Sequence, residues 1–443
     1  MQIRPKESRG RKRPLLLKLS VYALLSVIWM TAQQGCKKKI TKTPEGAAVC
    51  PKGDYNQCAQ RYQEACKRED HVRCWHLGIL YRKGLGVDRR YRKAAELFEQ
   101  TCNNGIRGGC LHLGELHEKG QGIRRDFGKA KEIFSKLCKS GGMKGCARLG
   151  RLHHLGRGTS RNLAEAKKLY DRACQLNEGM GCYGLAALYA RGSGVKMDLK
   201  KSKFYFLEAC KYKFGLGCAD AGLLESKGLG GKGNITRARQ LFKQACDLKS
   251  DIGCLRLGDL YLQGRGGSKD LSGAVKIFQV TCHRNYAQGC LLLGHMYTRG
   301  LGVSQSFQQA RTYYRRSCDF DSRMGCTLFG GFLLRGKGGN QDMTKARYVF
   351  KKACKARSVK SCLMLGGMLT KGMGGPRNYA AARGAMMIAC LLRSHEGCFY
   401  VGEFLCKGLG GRPDTVQSNK YYSRSCAFGN KIACKKKCVE RID

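Results

Sequence analysis

Acidic residues are scarce in this chain. It has 32 Asp and Glu residues against 83 Lys and Arg residues, which gives a formal net charge of +51. Acid–base catalysis by carboxylates needs two of them placed around one site, and the sequence shows no isolated pair that reads in this way. The charge imbalance instead predicts polyanionic partners, such as nucleic acid, anionic lipid head groups or acidic cell-envelope polymers.

The chain also lacks a long hydrophobic run. The longest, residues 19–30, has twelve positions, whereas a membrane-spanning helix needs about 20. Seven basic residues precede it and Thr31-Ala32 follows it, so residues 1–32 are predicted to be a signal peptide and residues 33–53 a basic linker. The predicted location is secreted or periplasmic. An uncleaved anchor and an organellar presequence leading to the mitochondrial intermembrane space are the alternatives.

Cys36 adds the alternative of a lipid anchor. The segment Gln33-Gln34-Gly35-Cys36 resembles a bacterial lipoprotein cleavage box, which has a small residue before its cysteine. Gln33, however, stands where leucine is usual. Soluble export is therefore favoured over lipidation of Cys36.

Cysteine, in contrast, is abundant, with 27 residues in the chain. Two cysteines with seven residues between them recur eleven times at a constant step of 36 residues. The pairs are Cys66 and Cys74, Cys102 and Cys110, Cys138 and Cys146, Cys174 and Cys182, Cys210 and Cys218, Cys246 and Cys254, Cys282 and Cys290, Cys318 and Cys326, Cys354 and Cys362, Cys390 and Cys398, and Cys426 and Cys434. A fixed period of this size indicates a stack of structural repeats.

Each repeat is predicted to be a helical hairpin. A small residue stands four residues after the second cysteine, and glycines such as Gly84 and Gly86 end this first helix. The second helix follows an N-cap residue such as Asp126, with Arg90 as the exception, and carries an aromatic residue on one face. The recurring small residue costs helix stability, so we expect a neighbouring helix to approach it closely.

The predicted fold class is therefore all-α. We expect an α/α superhelical solenoid of about eleven 36-residue hairpins, tetratricopeptide-like and stapled by disulfides, over residues 54–438. Residues 439–443 form a C-terminal tail. Six of the few acidic residues are used as N-caps of second helices in this arrangement: Asp54, Asp126, Asp198, Asp270, Asp342 and Asp414.

The paired cysteines are predicted to form disulfides rather than zinc sites. Structural zinc sites prefer two to four residues between ligands, and a cysteine-rich exported chain lies outside the reducing cytosol. A bridge within each pair would join one hairpin to the next. Cys50 and Cys58 have the same spacing and are candidates for another bridge, as are Cys406 and Cys438, which are expected on first helices of adjacent repeats.

These residues also carry a family resemblance. The pattern C-x2-LG-x2-Y-x2-G-x-G-V followed by D-x3-A-x3-F-x3-C resembles the Sel-one-like repeat, and the cysteine pairs resemble the helicobacter cysteine-rich proteins and their mitochondrial relatives linked to cytochrome oxidase assembly. The resemblance implies a solenoid, a secreted or periplasmic location and a role in protein interaction. Some members of that family are described as binding penicillins and weakly hydrolysing β-lactams.

No catalytic residue is assigned. A serine β-lactamase needs a serine with a lysine three residues on and a Lys-Ser/Thr-Gly segment. Ser193 with Lys196, and the segment 139–141, match by spelling, but no Ser-Asp-Asn accompanies them. Residues 228–233 match the glycine pattern of a dinucleotide-binding loop. No strand is expected before them, so no cofactor is predicted.

No metal site is predicted either. His117 and His153 occupy a repeat position that is elsewhere tyrosine, so they are interpreted as variants of the first-helix face. A surface metal site formed by His112, His117, His153 and His154 is the alternative.

A row of basic residues is the better candidate for a binding site. Nine residues after the second cysteine, eight of ten repeats carry a cation, here called the basic ladder: Lys83, Lys119, Arg191, Lys227, Arg299, Arg335, Lys371 and Lys407. Cations at a helix C-terminus stabilise its dipole, yet equivalent positions of a repeat stack also form one charged stripe. Both roles are compatible.

The function predicted from the sequence is an exported scaffold that binds proteins with acidic surfaces or anionic envelope polymers. Nucleic acid is disfavoured for an exported chain without an aromatic-interleaved basic motif. The alternative is a β-lactam-binding protein with weak hydrolase activity. A disulfide-exchanging assembly factor is a third reading, although short-loop bridges at helix ends should resist reduction.

Overall fold

A computed structural model of the chain describes residues 54–439. The predicted signal peptide, the basic linker with Cys36 and Cys50, and residues 440–443 of the predicted tail lie outside the described residues. Residues 54–439 form twenty-two α-helices and no strand. None of these helices is both long and apolar enough to span a lipid bilayer.

The helices fall into two compact units. The first unit runs to residue 145 and includes 157–159; the second comprises 146–156 and everything from 160 onwards. The helices of the first unit are α1 (Tyr55–Lys67), α2 (His71–Lys83), α3 (Tyr91–Asn103), α4 (Arg107–Lys119) and α5 (Phe127–Lys139). Helix α6 (Met143–Leu155) has most of its residues in the second unit.

The second unit continues the alternation of first and second helices. Its remaining helices are α7 (Leu163–Gln175), α8 (Gly179–Arg191), α9 (Leu199–Lys211), α10 (Gly215–Lys227), α11 (Ile235–Asp247), α12 (Asp251–Gln263), α13 (Leu271–His283), α14 (Ala287–Arg299), α15 (Phe307–Asp319), α16 (Arg323–Arg335), α17 (Met343–Lys355), α18 (Val359–Lys371), α19 (Tyr379–Leu391), α20 (His395–Cys406), α21 (Thr415–Ala427) and α22 (Lys431–Lys435). Even-numbered helices are the first helices of repeats, and odd-numbered helices are the second. The predicted all-helical solenoid is confirmed.

The helix boundaries follow from local side chains. Nine N-cap side chains of second helices accept a hydrogen bond from the backbone N–H three residues on: Asp126, Asn162, Asp198, Asn234, Asp270, Ser306, Asp342, Asn378 and Asp414. Asp54 precedes α1 but accepts no such bond, so that part of the prediction is wrong for this residue. First helices typically end at a left-handed glycine, as α2 does at Gly84 with φ 68°, a conformation that costs glycine nothing.

Within a hairpin, the recurring glycine packs against the recurring aromatic ring. A Cβ atom added to Gly78 would lie 2.6 Å from Phe98, and one added to Gly330 would lie 2.8 Å from Phe350. Phe98 and Phe350 are almost completely buried. The aromatic face of the second helix therefore rests directly on the backbone of the first helix, which is the close approach predicted from the sequence.

Adjacent hairpins are also joined by arginines that the sequence analysis did not single out. The Arg311 guanidinium donates a hydrogen bond to the carbonyl of Asn340 at 3.0 Å, and a Cβ on Gly339 would lie 2.7 Å from its Nη1 atom. Arg239, two repeats earlier, and Arg347, one repeat later, make the same contact with the carbonyls of Ser268 and Pro376. In each of these turns a glycine, such as Gly339, lies against the guanidinium group of an arginine 28 residues earlier in the sequence.

Disulfides connect consecutive hairpins. Ten pairs with a sequence separation of eight have Cα–Cα distances between 4.3 and 4.8 Å: Cys66–Cys74, Cys102–Cys110, Cys174–Cys182, Cys210–Cys218, Cys246–Cys254, Cys282–Cys290, Cys318–Cys326, Cys354–Cys362, Cys390–Cys398 and Cys426–Cys434. Cys58, Cys138 and Cys146 are disulfide-bonded as well. Each short loop closed in this way limits the freedom of the unfolded chain.

The C-terminus is held by a bridge of a different kind. Cys406 at the end of α20 is bonded to Cys438, 32 residues later. The expectation that Cys438 lies on a helix is wrong, because α22 ends at Lys435 and Lys436 is extended. Instead, Asn419 hydrogen-bonds both the carbonyl and the N–H of Cys438, at 3.1 and 2.7 Å. Residues 436–438 therefore fold back onto α21.

Candidate interaction surface

All eight residues of the basic ladder are exposed. Seven of them lie in the last turn of a first helix, and Lys407 directly follows α20. Lys407 is paired with Glu403 at 3.1 Å. Within residues 54–439, the other seven have no ion-pair partner, so their charges are available to a binding partner as well as to the helix dipole.

Several neighbouring first helices of the second unit contact each other. Helices α8 and α10, α10 and α12, and α14 and α16 touch each other directly. The Tyr183 hydroxyl on α8 donates a hydrogen bond to the Asp220 carboxylate on α10 at 2.9 Å. Burial raises the pKa of Asp220, an effect that this hydrogen bond opposes. Cross-repeat contacts of this kind fix the spacing between neighbouring ladder residues.

Apolar side chains and two glycines cluster on part of the first-helix face of this unit, on helices α14, α16 and α18. Six half-buried residues, here called the apolar patch, lie two, five or eight residues after the second cysteine: Leu292 on α14, Leu328, Gly331 and Leu334 on α16, and Met364 and Gly367 on α18. Arg335 and Lys371 each follow a patch glycine by four residues. Positions four apart share one helix face, so the ladder cations border the patch.

Gly331 and Gly367 have no packing role. A Cβ atom added to either residue would meet nothing within 4 Å. A glycine inside a helix costs about 1 kcal/mol relative to alanine. At these two positions no neighbouring helix packs closely enough to need a residue without a side chain. Both glycines instead leave an open surface between the apolar side chains and the cations.

The equivalent face of the first unit is closed by its own side chains. Arg82 on α2 contacts the Glu115 carboxylate at 3.0 Å and the His112 Nδ1 atom at 3.1 Å, both on α4. The rings of Trp75 and His112 stack with centroids 6.2 Å apart. We call Trp75, Arg82, His112 and Glu115 the polar cluster. Burial lowers the pKa of His112, and the adjacent Arg82 cation acts in the same direction.

The other histidines considered from the sequence are spread over different environments. His117 is on α4 but does not belong to the polar cluster; it lines a cavity of about 1020 Å³ beside Asp126 and Lys129. Burial lowers the pKa of His117 and of His154. Among residues 54–439, no three or more His, Cys, Asp or Glu side chains are gathered as metal ligands would be.

The serine motifs gain no support from their surroundings. The Ser140 hydroxyl donates to the carbonyl of Leu137 at 2.9 Å, as a residue at a helix end commonly does. Lys196 is exposed in the turn after α8, and in the described part of the chain no hydrogen bond joins it to Ser193. Neither serine is placed beside a base that would activate it.

The fold and this surface define a class: a disulfide-stapled α/α repeat protein with an exposed, basic and partly apolar face. A model of the Sel1 repeat matches ten segments of the chain, at residues 74–106, 109–142, 144–178, 179–211, 215–250, 252–285, 287–319, 323–358, 359–384 and 395–430. The chain belongs to the Sel1 repeat family.

The chain is also similar to solved structures. The chain is similar to c5321, a protective antigen present in uropathogenic Escherichia coli that displays an SLR fold, with 23% identity, a TM-score of 0.52, and coverage of 88% of this chain and 83% of that one. It is also similar to Helicobacter pylori cysteine rich protein B, with 33% identity over 31% of this chain and 98% of that one, at a TM-score of 0.26. No curated protein matches the chain.

The basic ladder was predictable from the sequence, whereas the apolar patch was not predicted. Gly331 and Gly367 were read together with the many other glycines, although they stand where other repeats have Ile79, Glu115 or His295. That irregularity at one repeat position was the signal that could have identified the patch.

Proposed function

We propose that the chain is an exported scaffold that binds a protein partner through the first-helix face of its second unit. The single observation that carries this proposal is the pair of unpacked glycines, Gly331 and Gly367, each followed by an exposed cation four residues on. A scaffold without a partner would gain stability from alanine at both positions.

The chemistry of the face indicates the chemistry of the partner. Leu328, Leu334 and Met364 offer apolar area that a partner would remove from water, and Arg335 and Lys371 offer unpaired charge at its border. An apolar centre bordered by polar residues is typical of protein interfaces. The partner is therefore a protein with an apolar contact region and acidic residues around it, rather than a purely anionic polymer.

The proposed location outside the reducing cytosol follows from the cysteines. Disulfides joining hairpin after hairpin form and persist in an oxidising compartment. Alkylation of the native protein followed by mass spectrometry should find the paired cysteines blocked to thiol reagents. Free thiols at these positions would contradict export, independently of the result of the binding experiments.

The binding proposal is tested by capture from a cell-envelope extract with matched charge changes. The double variant Arg335→Glu/Lys371→Glu should lose the captured protein at least tenfold, because a charge reversal at an interface repels the partner. The control is Lys168→Glu/Lys276→Glu, which makes the same change in net charge at exposed positions on second helices α7 and α13. Equal loss in both variants would show that only net charge matters and would refute a specific face.

A second variant tests the glycines independently of charge. Gly331→Leu/Gly367→Leu keeps the net charge and, because an added Cβ meets no neighbour at either position, should remain folded. We expect it to abolish capture. Capture at the wild-type level, with a wild-type circular dichroism spectrum, would remove the patch from the binding surface.

A further inference from the structure

A second surface of the same unit lies on its other side, between second helices. Helices α17 and α19 enclose a groove of about 500 Å³, here called the outer groove. Tyr348, Lys351 and Lys355 line it from α17, and Ala381, Gly384 and Ile388 line it from α19. It is separate from the apolar patch, which is built from first helices.

Helix α19 carries little charge. Its sequence, YAAARGAMMIACL, contains one charged residue, Arg383, and the guanidinium of Arg383 lies toward Gly411 of the following turn. The facing Tyr348 is 69% exposed, and Leu391 at the end of α19 is 62% exposed. Large apolar side chains left in water beside a groove indicate a surface that is covered in use.

Gly384 has no structural reason to be glycine. A Cβ atom added to it would meet nothing within 4 Å, although glycine inside a helix costs about 1 kcal/mol relative to alanine. The equivalent position in five other repeats is charged: Glu96, Glu132, Lys168, Lys276 and Lys420. A long charged side chain there would cross the groove, and only this repeat leaves the groove without any side chain at the position.

The shape of the groove selects the form of its occupant. Its lining residues recur every three to four positions along α17 and α19, so the groove follows both helices for about 15 Å at 1.5 Å per residue. Backbone groups inside the two walls are already used by the helices themselves. An extended peptide would therefore leave its own N–H and C=O groups unpaired, whereas a helix satisfies them internally.

The charge around the groove selects the chemistry of the occupant. Lys351 and Lys355 are exposed, and within residues 54–439 neither has an ion-pair partner. They therefore favour acidic side chains at the edge of the occupant. A second copy of this chain is disfavoured because each copy carries a net charge of +51, and two such copies repel each other.

We propose that the outer groove binds an amphipathic α-helix of a partner protein. The apolar face of that helix packs on Ala381, Gly384 and Ile388, beside the Tyr348 ring, and its acidic residues pair with Lys351 and Lys355. This site does not depend on the first-helix face. One chain can therefore bind one partner element through its first helices and another through its second helices.

The test uses a display library of single helices with randomised apolar and flanking positions. The library is selected on the wild-type chain with counter-selection on the Gly384→Lys variant. Lys168, Lys276 and Lys420 show that this fold accepts lysine at the position, so the variant should be at least as stable as the wild type. Gly384→Ala is the control, because one methyl group adds helix propensity without crossing the groove.

The expected result is a set of helices enriched in Asp and Glu beside a small apolar stripe. Their dissociation constants should weaken at least tenfold with Gly384→Lys and with Lys351→Glu/Lys355→Glu, and should change less than twofold with Gly384→Ala. The first-helix-face variant Arg335→Glu/Lys371→Glu should bind them as the wild type does, which separates this site from the proposed function.

Two results would overturn the proposal. One is a selection that yields no helix able to distinguish the wild type from Gly384→Lys, or that yields basic helices. The other is sedimentation showing a concentration-dependent dimer that Gly384→Lys abolishes, because the groove would then be occupied by a second copy of the chain.

Discussion

The first-helix faces of the two units use the same backbone positions for opposite purposes. In the first unit, the polar cluster fills the face: Arg82 contacts both Glu115 and His112 on the next first helix. In the second unit, Gly331 and Gly367 leave the equivalent face open. The buried positions of the repeats hardly differ between the units, because glycine and an aromatic ring pack together in both.

This difference distinguishes the residues that form the fold from the residues available to bind a partner. Positions that pack one helix on another repeat with the 36-residue period and say little about function. Positions on the solvent side of the first helix vary from polar and interlocked to apolar and open. Binding specificity in such a stack therefore resides in the residues that break the repeat pattern, which is where the following variants act.

The largest effect is expected from removing an arginine of the closed face. The side chains of Arg82 and Glu115 are 21% and 12% exposed, so Arg82→Ala removes a charged hydrogen-bond donor from a nearly buried carboxylate. We expect a loss of about 1.5–3 kcal/mol in the free energy of unfolding. Urea unfolding followed by fluorescence is suited to this measurement, since Trp75 lies in the polar cluster and the other tryptophan, Trp29, lies in the predicted signal peptide.

The matched variant on the open face is Arg335→Ala. Arg335 is exposed, and substitutions of this kind usually change the free energy of unfolding by less than about 0.5 kcal/mol. It should nevertheless weaken partner capture. Equal destabilisation by the two arginine variants would show that the faces do not differ in the way described.

Two adjacent glycines on α16 provide the next comparison. Gly330→Ala should destabilise the protein by about 1–3 kcal/mol, because its Cβ would overlap Phe350, 2.8 Å away. Gly331→Ala should stabilise it by up to about 1 kcal/mol, because the added methyl group meets no neighbour. Thermal unfolding of the two single variants measures both effects, and a loss of stability with Gly331→Ala would contradict the assignment of Gly331 to the open face.

This pair also shows how far the sequence could predict the structure. The cysteine period, the capping residues and the small residue before each aromatic ring predicted the hairpins and their packing, because these positions recur. Gly330 stands at the recurring small position, so its close packing was predictable, whereas only the folded hairpin shows that Gly331 beside it has no neighbour. The contacts of Arg82 and Arg311 were equally hidden, since they join residues about 30 positions apart.

A pH dependence is expected from the closed face. Burial lowers the pKa of His112 in the folded chain, so the unfolded chain binds the proton more readily than the folded one. Stability is therefore lost as the pH falls below the ordinary histidine pKa of about 6.5. The urea midpoint should decrease between pH 7.5 and pH 5.5, and it should decrease less in His112→Leu, which copies the leucine of Leu292 and Leu328. An unchanged pH profile in that variant would show that His112 does not cause the pH dependence of the urea midpoint, and that the other buried histidines do.

The smallest effect concerns the turns between hairpins, where the first unit again differs in part from the second. Gly105 has a positive φ of 78° in one such turn, whereas Arg357 adopts φ 63° at the equivalent position. Left-handed backbone costs a residue with a Cβ about 1–2 kcal/mol, and glycine recovers that cost but loses more entropy on folding. Arg357→Gly should therefore stabilise the protein by about 0.5–1 kcal/mol, and Gly105→Arg should destabilise it by a similar amount. Opposite signs for the two substitutions in thermal unfolding would support this account, whereas destabilisation by both would show that the Arg357 side chain contributes more to its turn than the backbone costs.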